Sequence, residues 1–138
     1  MPLRILIADD SHSFRHSLHG LLEQNPGWEV CAEAVDGVDA VAKAQQCKPD
    51  IMIFDFFMPG MTGVEAAQVL SRVLPAVPIL IITLYITAQL IVLAKSAGAK
   101  GAAQKSDTGQ VVSGVKALFN KETFFERNRN EPVVATLL

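Results

Sequence analysis

The chain has 138 residues, half of them hydrophobic, with 12 Lys and Arg against 14 Asp and Glu and a formal net charge of -2. That length suits one domain around one core, and the charge balance excludes attraction to nucleic acid or anionic lipid by bulk charge. Cys31 and Cys47 show neither Cys-x-x-Cys nor metal-ligand spacing, which reads as two reduced, buried thiols in a cytoplasmic protein; the first ten residues lack the apolar core of a secretory signal.

Leu3 to Ala8 is a short apolar run ending in Asp9-Asp10-Ser11, the form of a buried parallel strand opening into a polar loop. Phe14, Leu18, Leu21 and Leu22 then share one face of a helix that starts near Ser11 and stops at Asn25-Pro26-Gly27. Trp28 to Ala34 predicts a second strand, and Val38, Val41, Ala42 and Ala44 predict a helix running to Cys47, broken by Lys48-Pro49-Asp50. Ile51 to Phe54 predicts a third strand ending at Asp55; a loop with Pro59, Gly60 and Gly63 leads into a helix through Val64, Ala67, Leu70 and Leu74.

No charged residue occurs from Val73 to Ala94, and Pro78 to Ala94 has the hydropathy of a membrane span. Pro78, Thr83, Tyr85, Thr87 and Gln89 instead divide it into a strand, Ile79 to Ile82 ending at Thr83, and a helix from about Thr87 to Ala97 closed by Gly98. No membrane contact is expected. A weak fifth strand, Gly101 to Gln104, ends at Lys105, and Ser106 or Asp107 can cap a last helix with Val111, Val112, Val115, Leu118 and Phe119 on it. Five strands alternating with five helices predict a three-layer, doubly wound α/β sandwich with a parallel sheet. Residues 1 to 120 form that domain, and 121 to 138, with Asn128, Arg129, Asn130 and Pro132, read as a polar tail or linker.

Such sheets bind ligands beyond the carboxyl ends of their strands, where Asp9, Asp10, Asp55, Thr83 and Lys105 all fall. Two carboxylates about 4 Å apart repel by about 4 kcal/mol at an effective dielectric of 20, so a cluster of three must hold protons or recruit a cation. Magnesium, which takes oxygen ligands, fits that need. Asp55 is then the natural nucleophile toward phosphorus, with Lys105 and Thr83 placed to meet phosphoryl oxygens.

These residues carry a resemblance. Asp9-Asp10, the segment Phe54-Asp55-Phe56-Phe57-Met58-Pro59-Gly60-Met61-Thr62-Gly63, Ile82-Thr83, and Gly98-Ala99-Lys100-Gly101 leading to Lys105 resemble bacterial response-regulator receiver domains, over about residues 3 to 120. The residue after Lys105 is not proline, which is more similar to NarL/FixJ-type receivers than to the chemotaxis type. The resemblance implies a CheY-like, flavodoxin-like fold with strand order 2-1-3-4-5. It also implies phosphotransfer from a sensor histidine kinase to Asp55. Magnesium would be bound directly by Asp10 and Asp55, partly through water by Asp9, and by the Phe57 carbonyl. Thr83 and Lys105 would sense the phosphate and shift the face of the fourth helix, fifth strand and fifth helix, a surface for a homodimer or effector.

Ala102 stands where many receivers carry an aromatic residue three positions before the lysine, which leaves coupling to that face open. Phe57 and Tyr85, two residues after Asp55 and Thr83, are expected either to shield the acyl phosphate from water or merely to pack under a loop. Leu90 to Leu93 supplies more apolar residues than a helix covering a sheet needs, so some should face outward as a partner surface. His12, His16 and His19 read as a solvated helix face rather than a metal site, with Arg15 and His16 available to a kinase. The expected function is a signalling switch acting only on itself, either stand-alone or the receiver part of a transcriptional regulator. No direct nucleic-acid contact is expected from this chain. The alternative is a magnesium-dependent, phosphatase-like hydrolase with an aspartate nucleophile.

Overall fold

The computed structural model describes residues 2–125. Its elements are β1 (Leu3–Ala8), α1 (His12–Glu23), β2 (Trp28–Ala34), α2 (Gly37–Cys47), β3 (Ile51–Asp55), α3 (Gly63–Val73), β4 (Ile79–Thr83), α4 (Ala88–Ser96), β5 (Gly101–Gln104), α5 (Thr108–Phe119) and β6 (Phe124–Phe125). The strands form one sheet in the order β2-β1-β3-β4-β5-β6, every neighbouring pair parallel. The predicted three-layer sandwich and its strand order are present, with one addition. The sheet has six strands rather than five, because Phe124 and Phe125, expected in a tail, pair with Gly101 and Ala102. The remainder of that expected tail, from residue 126, lies outside the described residues.

Alternation along the strands supplies both cores, since successive side chains point to opposite faces. Ile5, Ile7, Ile53, Leu80 and Ile82 meet Leu18 and Leu22 of α1 and Val111, Val115 and Leu118 of α5 on one face. Leu6, Ala8, Met52, Phe54, Ile79 and Ile81 meet Ala40, Ala44, Ala66, Ala67, Leu70 and Ala94 of α2, α3 and α4 on the other. Each fully buried Leu or Ile contributes about 1.5–3 kcal/mol. Facing alanines let α2 and α3 approach closely enough to cover the sheet.

The helices begin at side-chain caps. Ser11, Asp36, Thr62, Thr87 and Asp107 each accept a bond from the backbone N–H three residues on, and Thr62 with Glu65 completes a reciprocal capping box. Gly98 follows α4 at φ +93, the left-handed conformation that a helix end favours. The apolar stretch read as a possible span is divided between β4 and α4, and no described helix is long and apolar enough to cross a membrane.

Candidate functional site

Because β1, β3, β4 and β5 run parallel, their carboxyl ends open on the same edge of the sheet, and register fixes who meets there. Asp55 pairs with Ile82, next to Thr83, and Thr83 pairs with Gln104, next to Lys105. The loops are tied across: Phe56 N–H donates to the Ile82 carbonyl (2.8 Å) and Lys105 N–H to the Thr83 carbonyl (2.6 Å). All five residues expected at the strand ends are therefore brought to one edge. Asp9, Asp55 and Thr83 are buried, while Asp10 is exposed at the rim.

Asp9, Asp10 and Asp55 each offer a carboxylate oxygen within 4.8 Å of the others, the single group of its kind among the described residues. Lys105 Nζ lies 2.6 Å from Asp9 Oδ2 and 3.1 Å from Asp55 Oδ2, bridging the two acids. Asp9 Oδ2 is buried against the Lys105 ammonium, while Oδ1 accepts from Ser11 N–H at 2.8 Å. Three carboxylates within reach of one another, two of them buried and sharing a single ammonium, suit a hard divalent cation that takes oxygen ligands, so these residues fit magnesium. Phe57 N–H donates to Asp55 Oδ1 at a long 3.4 Å.

Burial, with the Asp9 charge second, pushes the Asp55 carboxyl up to about 6, opposed by Lys105 and the Phe57 N–H. Burial also works to lower the Lys105 pKa, but Asp9 and Asp55 outweigh it and hold the ammonium above its ordinary range. A positive group thus stands next to Asp55, held by the two acids and by the Phe14 ring, 4.5 Å from its nitrogen.

Two contributors are not evident from sequence. Phe14 was legible as a core residue of α1 but not as a support for Lys105. Arg15, expected on an open face beside His16, is instead buried, donating from Nη1 to the Asp9 carbonyl (2.7 Å) and from Nε to Glu33 (3.1 Å). The histidines do not converge on a metal site: His12 and His16 stack at 6.2 Å, and His19 binds Glu33 and Glu23. Phe57 and Tyr85 are 70% and 69% exposed, so neither packs under a loop. They border a shallow groove of 430 Å³ that reaches Thr83 and Leu90. A larger hollow of 840 Å³ lies at the opposite end of the strands, among Leu3, Trp28, Ile51 and Phe119, away from this chemistry.

Comparison with known proteins agrees with the geometry. The family described as response regulator receiver domain matches residues 5–116. A protein-glutamate methylesterase/protein-glutamine glutaminase of Pyrococcus abyssi is 38% identical over 81 residues, 59% of this chain and 22% of that protein. Response regulator protein VraR of Staphylococcus saprophyticus is 28% identical over 127 residues, 91% of this chain and 61% of that protein. The chain thus spans less than two thirds of either relative. A two-component response regulator of the LuxR family from Aurantimonas sp. superposes with a TM-score of 0.86 at 31% identity, covering 90% of this chain and 89% of that one.

Proposed function

Since the chain belongs to the response regulator receiver domain family, we propose that it is a phosphoacceptor switch whose acceptor is Asp55 and whose donor is a phosphohistidine of a sensor histidine kinase. The observation that carries this reading is the Lys105 ammonium bridging Asp9 and Asp55 beside a third carboxylate. The alternative of a small-molecule phosphate hydrolase gains nothing from the family match.

An Asp55 carboxylate oxygen attacks phosphorus, the phosphorus–nitrogen bond of the donor breaks, and the imidazole leaves, producing an acyl phosphate on Asp55. Asp9, Asp10, Asp55 and the Phe57 carbonyl would hold magnesium, and the bound ion would supply charge neutralisation for the phosphoryl oxygens. Lys105 exchanges its contact with Asp55 for one with the phosphoryl group, and the Thr83 hydroxyl donates to another of its oxygens. The acts the chain performs are on itself, its own phosphorylation and dephosphorylation.

Drawing Thr83 and Lys105 toward a new anion biases β4, β5 and the start of α4 between two arrangements. Val92 and Leu93 of α4 are 61% and 43% exposed, and this apolar face is the docking surface for a second copy or an effector. The outer edge of β5, expected within that surface, is taken by β6, so docking uses helix faces rather than the backbone edge. In a longer protein the chain would serve as the receiver of a transcriptional regulator. Incubation with acetyl phosphate and magnesium, read by intact mass, tests the reading: wild type gains one phosphoryl group and Asp55→Ala gains none. Labelling that survives in Asp55→Ala would overturn the assignment.

A further inference from the structure

Cys31 and Cys47, read from the sequence as two reduced, buried thiols, are both partly exposed and are neighbours, with Sγ atoms 3.0 Å apart. The local backbone explains the meeting. In the β1–β2 ladder Ile5 pairs with Val30 and Leu6 with Ala32, so Cys31 is the extra residue of a bulge. Before the bulge, Trp28 and Val30 face α1 and α5; after it, Ala32 and Ala34 face the α2 side. A bulge re-aims the side chain it inserts, and here it turns Cys31 toward the last residue of α2, which is Cys47. Arg4 secures the other partner, its Nη2 donating to the Cys47 carbonyl at 2.8 Å.

From this arrangement we infer that Cys31 and Cys47 form a reversible disulfide within the domain, with a small-molecule disulfide such as oxidised glutathione as co-reactant. A disulfide has a sulfur separation of about 2.05 Å, so closing it requires movement of about 1 Å between a strand and a helix end already in contact. One cysteine thiolate attacks a sulfur of oxidised glutathione and releases one glutathione thiolate. The second cysteine then attacks the protein-bound sulfur and releases the other. Two protein thiols are oxidised, one glutathione disulfide is reduced to two thiols, and the two protons go to the leaving thiolates. Burial, then the hydrogen bond with Cys47, pushes the Cys31 thiol up to about 12, which makes Cys31 the poorer first attacker on oxidised glutathione.

The bond would close the segment between residues 31 and 47 and fasten the end of α2 to the sheet edge. Asp55 lies at the other end of the strands, so phosphorylation and thiol oxidation are separate events. These are the two cysteines of the chain, which makes mass an unambiguous readout.

The test incubates the native chain, and the same chain unfolded in urea, with mixtures of oxidised and reduced glutathione, followed by intact mass, alkylation of free thiols and non-reducing electrophoresis. The folded chain is expected to lose two hydrogens as a monomer at least about tenfold faster than the unfolded one, because the thiols are held together. Dithiothreitol restores both thiols. Cys31→Ser and Cys47→Ser each stall as a glutathione adduct while retaining Asp55 labelling by acetyl phosphate. Equal or slower closure in the folded chain, stable glutathione adducts on wild type, or a disulfide-linked dimer would each overturn the inference.

Discussion

Gly63 sits directly against the backbone of Asp55: a β-carbon at Gly63 would lie 2.1 Å from the Asp55 carbonyl oxygen. The neighbour is backbone of a buried strand end, so it cannot swing aside as a side chain would. Gly63 N–H also donates to the Phe56 carbonyl at 3.2 Å, which brings the start of α3 onto the loop that carries Asp55. Gly63→Ala is therefore expected to displace that loop, destabilise the fold by about 1–3 kcal/mol and slow phosphorylation. Urea unfolding together with acetyl phosphate labelling checks this, and a variant with wild-type stability and labelling rate would refute the close packing.

Lys105 is the positive group touching Asp9 Oδ2. Lys105→Met removes it and leaves two buried acids facing one another, which is expected to cost about 2 kcal/mol near neutral pH. Magnesium relieves the same repulsion, so the ion should raise the melting temperature of the variant by more than that of wild type. Equal shifts for the two proteins would show that lysine and cation do not serve the same carboxylates.

The outward rings of Phe57 and Tyr85 line one groove that reaches Thr83, each two residues after a site residue, Asp55 or Thr83. Side chains that exclude water from an acyl phosphate slow its hydrolysis. Phe57→Asn combined with Tyr85→Ala is expected to accelerate decay of the phosphorylated domain roughly tenfold, equivalent to about 1.4 kcal/mol of barrier. Decay of labelled protein after removal of acetyl phosphate measures it; unchanged decay would assign both rings to partner contact alone.

The legible parts of this molecule are those written in local pattern. Apolar strands ending in Asp9, Asp55, Thr83 and Lys105, separated by capped helices, specify both the sheet and the chemistry at its carboxyl edge, because parallel strands place all such ends together. What escaped depends on register and on contacts across the sheet. Cys31 meets Cys47 only because of a bulge, which no alternation in Trp28 to Ala34 announces. Phe124 and Phe125 look like the start of a tail; as a strand they are held by Gly101 and Gly114, whose missing side chains make room for Phe124. Phe125 lies beside Ala102, at the position where an aromatic was expected and not found, with Lys95 5.0 Å from its ring.

The α1–β2 contact offers a dependence on pH with a definite sign. His19 Nδ1 is 2.7 Å from Glu33 Oε2 and its Nε2 is 3.1 Å from Glu23 Oε1. The Glu33 hydrogen bond, above all, raises the His19 pKa from 6.5 despite partial burial. For Glu33, burial works upward, but His19 and Arg15 outweigh it and lower the value from 4.5. A raised histidine contributes its full stabilisation below 6.5 and loses it as pH rises through the elevated value; a lowered carboxylate loses its share as pH falls through the depressed one. The charged pair therefore operates from below 4.5 to above 6.5 and fades on the alkaline side, where Arg15 still holds Glu33. With about a third of each side chain exposed, it is worth about 1 kcal/mol at most. His19→Gln should be less stable than wild type at pH 6 and nearly equal to it at pH 9, by urea unfolding at both values. A deficit that grows with pH would contradict this ion pair.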